Sequence, residues 1–165
     1  MSAASRWTSS SDHLAMSPRL FMPWRIAAAI LALAVVPSAR ADLYVVAHVS
    51  NPQAALTQKE VLELFMGRQR AFADGSFAFV FDLPRNNAVR ERFYQQVAGM
   101  SPAQVNSYWA RLMFSGQAMP PQPLPDEGAV VEVVKRNPNA LGYLGSPPTD
   151  KGVRVLLVVR ERAPD

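Results

Sequence analysis

The chain has 165 residues, 49% of them hydrophobic and 18% charged, with 17 Lys and Arg against 13 Asp and Glu for a formal charge of +4. That length fits one globular unit with a tail, and a half-apolar composition with 3 Trp, 4 Tyr and 8 Phe excludes a disordered chain. The absence of cysteine excludes disulfides, thiolate nucleophiles and Cys-based zinc sites, and His13 and His48 are too few for a multi-histidine metal cage.

The positive charge is concentrated at the front. A basic lead ending in Arg25, the apolar run Ile26 to Val36 and the Ala39-Arg40-Ala41 arrangement read as a secretory signal peptide cleaved before Asp42. The run is well short of the ~20 apolar residues that a membrane-spanning helix needs. Translation could begin at Met1, Met16 or Met22. Residues 1–41 hold four arginines and one aspartate, so residues 42–165 keep 13 basic and 12 acidic groups. The nucleic-acid partner suggested by a pI of 9.9 thereby loses its basis, and the expected location is the periplasm.

Residues 42–165 are expected to form one α/β domain. Leu43 to Val49 is an uncharged, β-branched run suited to a strand buried on both faces, and Ser50-Asn51-Pro52 stops it. Thr57-Gln-Lys-Glu60 is a capping box that opens a helix over 58–66, closed by Gly67. Phe77 to Phe81 predicts a second strand, running into Asp82-Leu-Pro84. Asn86 or Asn87 then caps a helix that presents Val89, Phe93 and Val97 on one face and stops at Gly99. Ser101-Pro102 starts another helix, with Val105, Tyr108, Trp109, Leu112 and Met113 as its apolar stripe.

Residues 116–125 carry Gly116 and four prolines and are expected as an extended surface loop without a regular element. Asp126-Glu127 lead a helix over Val130 to Arg136, and Asn137-Pro138-Asn139 breaks it. Leu141 to Leu144 and Val153 to Val159 are the last two strands. The order β-α-β-α-α-α-β-β predicts a mostly parallel or mixed sheet with helices on both faces.

Catalytic and cofactor motifs are missing: there is no G-x-S-x-G, no phosphate-binding Walker motif, no G-x-G-x-x-G and no H-E-x-x-H. His48 reads as a strand-end histidine satisfied locally, with a Ser50–His48 pair as the remaining catalytic alternative. Glu60 and Glu63 read as a solvated helix face, and Asp82 at a strand end is the most site-like acid. The junction from Asp82 to Arg90 is the most informative place, because a helix opening directly after a strand presents its first N–H groups and positive dipole end to an anion. Arg85 and Arg90 flank that point.

Leu62-Glu-Leu-Phe-Met-Gly67, Asp74-Gly75, the strand into Asp82-Leu-Pro84, Arg90-x-x-Phe93, Tyr108-Trp109 and Asn137-Pro-Asn-Ala-Leu-Gly-Tyr143, in that order, resemble the phosphate-type periplasmic solute-binding proteins of ABC transporters. The resemblance implies a single periplasmic-binding-protein-like lobe of that two-lobed family, with no enzymatic activity and no cofactor. The family's Gly-Ser-Gly-Thr phosphate loop is replaced by Asn86-Asn87-Ala88-Val89, with Leu83 or a neighbour where the family has an arginine and Asp82 close by. The expected ligand contacts are Ser50, Asn51, Arg85, Asn86, Asn87 and Arg90, holding a small oxyanion such as phosphate. The alternative is an accessory protein that keeps the fold without the ligand and docks on a periplasmic or membrane-complex partner along the proline-rich loop, near Met119.

Overall fold

The computed structural model describes residues 42–160; the leader expected over residues 1–41 lies outside them. Nine elements follow in order: β1 (Leu43–His48), α1 (Gln58–Phe65), β2 (Phe79–Asp82), α2 (Ala88–Ala98), α3 (Pro102–Phe114), β3 (Gln122–Pro123), α4 (Glu127–Arg136), β4 (Ala140–Leu144) and β5 (Val153–Val159). The strands form one sheet in the order β3-β2-β4-β1-β5.

The direction of β1 decides what the sheet can present at each end. β2 runs parallel to both β3 and β4, whereas β1 is antiparallel to β4 and to β5. The carboxyl end of β1 therefore lies at the end of the sheet where β2 begins. Periodicity alone does not reveal this, because an uncharged β-branched run suits either direction when both faces are covered.

Helices cover both faces, as the composition of β4 shows residue by residue. Successive side chains of a strand point to opposite faces. Gly142 faces α4, where an added Cβ would sit 2.4 Å from a Val130 methyl, so a close helix–sheet contact requires glycine there. Tyr143, on the other face, stacks on Phe93 of α2 with ring centroids 3.9 Å apart and meets Phe65 of α1 edge-on at 5.7 Å. Phe65, Phe93 and Tyr143 are all completely buried and anchor that layer of the core. Aromatic pairs of this kind contribute ~0.5–1.5 kcal/mol beyond the burial of their area.

The local signals place the helices well. Thr57 and Glu60 form the reciprocal capping box of α1, Ser101 and Gln104 form another on α3, Asn87 caps α2 and Asp126 caps α4. Two expectations require correction. β2 begins at Phe79 rather than Phe77, because residues 77–78 pair first with the incoming loop through an Ala71–Phe77 bridge and the Ala78 N–H on the Arg70 carbonyl. The loop 116–125 also holds a two-residue strand, β3, whose pairing continues in the Leu124 N–H donating to the Asp82 carbonyl at 2.8 Å. Prolines hide such a strand from sequence reading, yet an edge position tolerates their missing N–H.

Candidate functional site

Asp82 ends β2 and is 5% exposed, so its carboxylate must be satisfied inside the protein. Oδ1 accepts the Tyr143 hydroxyl at 2.6 Å and the Leu83 N–H at 2.8 Å, and Oδ2 accepts Arg90 Nε at 2.9 Å and the Tyr94 hydroxyl at 3.0 Å. Four donors thus saturate one buried acid. Arg90 and Tyr94 are four residues apart on α2, which places both on one helix face toward Asp82, and the guanidinium carbon lies 4.9 Å from the Tyr94 ring centre.

Burial alone would lower the pKa of Arg90, but the Asp82 charge and hydrogen bond outweigh it and hold the guanidinium above its ordinary range. Burial is also the chief cause that raises Tyr94 and Tyr143 well above the usual tyrosine range, with the adjacent Asp82 charge adding to it. Both hydroxyls therefore remain protonated donors.

Beside this network lies a groove of about 450 Å3. Its polar lining is Asp82, Arg85, Arg90 and Asn106; the rest is Leu83, Trp109, Leu124 and prolines between positions 84 and 125. Arg85 is exposed, whereas Arg90 is 5% exposed and held by Asp82. The buried Trp109 indole N–H interacts with the Tyr94 hydroxyl, outside ideal hydrogen-bond geometry.

The residues expected to bind an anion separate into two groups. Arg85 and Arg90 line the groove at the carboxyl end of β2. Asn86 and Asn87 lie next to it in the chain without lining it, and Asn87 Oδ1 accepts the Val89 N–H at 2.8 Å and the Arg90 N–H at 3.3 Å. The first amides of α2 are therefore capped by the chain itself. Ser50 and Asn51 follow β1, at the other end of the sheet. Asn51 is 2% exposed; its Nδ2 donates to the Pro138 carbonyl at 2.7 Å and its Oδ1 accepts the Gln53 N–H at 3.0 Å. Ser50 is exposed, and its hydroxyl and N–H both meet His48 Nδ1, at 2.6 and 3.0 Å. Among the described residues, no carboxylate hydrogen-bonds the other ring nitrogen of His48, so no orienting acid completes a triad.

Sequence reasoning missed the wall of this groove. Tyr94 carried a usable signal, since it follows Arg90 at helical spacing, but Trp109 read as core and as part of the family resemblance, and the prolines as a loop and docking edge, neither as a groove wall. A second groove shares Trp109, Pro120 and Pro121 with the first; it opens onto Phe77, Phe79 and Met119, which are 51%, 45% and 73% exposed. Arg70 is its one charged lining residue.

No family model matches the sequence, and no curated protein does. Several solved structures are similar, two of them as follows. One, described as a phosphate ABC transporter substrate-binding protein with bound phosphate from Clostridium perfringens, has 17% identity over 70% of this chain and 45% of its own, with a TM-score of 0.56. The other, an ABC-type phosphate transport receptor from Vibrio cholerae, has 16% identity over 70% of this chain and 46% of its own, with a TM-score of 0.53. The chain thus spans less than half the length of either. At these identities the likeness is one of fold, and the described residues form a single lobe of the periplasmic-binding-protein type, an open mixed α/β sheet covered on both faces.

Proposed function

We propose that this chain is a non-catalytic, exported binding module of the solute-binding type, which receives a small anion in the groove at the carboxyl end of β2. The observation that carries this reading is the groove itself: two arginines face a cavity whose one acid is already saturated by internal donors. Arg85 supplies the exposed charge, and Arg90 offers the guanidinium nitrogens other than Nε. Asn86 and Asn87 shape the turn between them, with Asn87 acting through the α2 cap. Ser50 and Asn51 belong to the opposite end of the sheet and order the exit from β1.

Phosphate, the bound ligand of the Clostridium structure, is the first ligand to test. The leader expected from the sequence of residues 1–41 would export the chain to the periplasm, where such a module would meet its solute. Calorimetric titration of orthophosphate into the protein and into Arg85→Ala tests the reading. Weakened binding in the variant supports it, and unchanged heats reject the assignment of Arg85.

A second reading, an accessory protein that docks on a partner, is favoured by the exposed Phe77, Phe79 and Met119 beside the proline-rich loop. A photo-crosslinker at position 79 should then capture a protein in cells, while one at the exposed Val158 should not.

A further inference from the structure

The groove beside Asp82 has chemistry that an inorganic dianion would leave unused, and this distinguishes between classes of anion. Arg85 and Arg90 are opposed by Asp82, so the site carries one net positive charge. Both Asp82 oxygens already accept two hydrogen bonds each, so that acid has no call for a proton on the ligand. Apart from Asn106, the remaining wall is apolar: Pro84, Pro120, Pro121, Pro123 and Pro125 line it with Leu83, Leu124 and Trp109. Proline rings and an indole offer flat, rigid, weakly hydrated surface, on which a fully hydrated inorganic ion makes no favourable contact and a ring of carbon atoms does.

We propose, resting on the reading that this groove binds an anion, that its ligand class is an organic monoanion: a carboxylate on a cyclic or aromatic body. The carboxylate meets Arg85 and Arg90, and the ring lies against the proline wall and Trp109.

The test is calorimetric titration of the full chain with benzoate, acetate and orthophosphate, repeated on Arg85→Ala and on the double variant Pro123→Ser/Pro125→Ser. Positions 123 and 125 are exposed, so their replacement leaves the core intact. Benzoate should bind about tenfold more tightly than acetate, the factor supplied by burying ~60 Å2 more apolar surface, and more tightly than orthophosphate. Arg85→Ala should weaken benzoate by about tenfold, as the loss of a charge-assisted hydrogen bond implies. The proline double variant should reduce the benzoate-to-acetate ratio. Orthophosphate or acetate binding as tightly as benzoate, with Arg85→Ala still weakening both, would overturn the ligand class and leave the anion site standing. Absence of heat with all three would overturn the ligand class and the anion site together.

Discussion

The two ends of the sheet look alike in the sequence and have different roles in the structure. Each is a strand that ends on a titratable residue and runs into a short turn: His48 of β1 into Val49-Ser50-Asn51, and Asp82 of β2 into Leu83-Pro84-Arg85. At the first, Asn51 ties the strand exit to the loop before β4 through the Pro138 carbonyl, and Ser50 closes on His48. At the second, a buried acid gathers an arginine and two tyrosines, and a groove opens beside them. The lesson is that polar residues at a strand end become a candidate site where a neighbouring segment leaves a cavity against them, as the proline-rich loop does at the carboxyl end of β2.

The contrast is sharpened most by Asp82→Asn. It leaves Arg90 buried without a counter-charge and should destabilise the protein by about 3–5 kcal/mol in urea denaturation. Adding Arg90→Met should recover part of that loss, because the uncompensated charge goes too; a double variant as unstable as the sum of both singles would contradict the network.

Alkaline pH probes the same end. The pKa values of Tyr94 and Tyr143 are raised in the folded state, so their contribution is complete below the unfolded tyrosine value near 10 and is lost as pH rises above it. Stability should therefore fall by roughly 3 kcal/mol between pH 9 and pH 11 from these two groups. Tyr143→Phe should flatten that fall, and an unchanged slope would count against the buried hydroxyl.

At the other end, Asn51→Ala leaves the Pro138 carbonyl without its donor and should cost about 1–3 kcal/mol, with no change in anion binding. Asn87→Ala removes the α2 cap and should cost about 1 kcal/mol. Ser50→Ala touches only an exposed turn and should change stability by less than about 0.5 kcal/mol. An effect of Ser50→Ala on ligand affinity would erase the distinction between the ends.

What was legible in the sequence was local. The capping box at Thr57 and Glu60, and the Ser101-Pro102 helix start, depend on residues within one turn and fall where their spacing places them. The α/β class followed from the alternation of such elements. Strand direction was not legible, because β1 has the same apolar texture whichever way its neighbours run, and that direction is what separates Ser50 and Asn51 from Arg85 and Arg90. The groove was illegible for another reason: its wall comes from Trp109 of α3 and from prolines near position 120 that the pairing of β3 with β2 brings to Asp82. The internal use of Asn87 as a cap could be weighed in advance, but that of Arg90 needed the distance to Asp82.

The central claim, that the anion site lies at the carboxyl end of β2 and not at that of β1, is tested most directly by amide chemical-shift mapping during a benzoate titration of the isotopically labelled protein. Saturable shifts clustered at residues 82–90 and 120–125, with residues 48–53 unmoved, are the predicted result. Shifts centred on residues 48–53 would contradict the account.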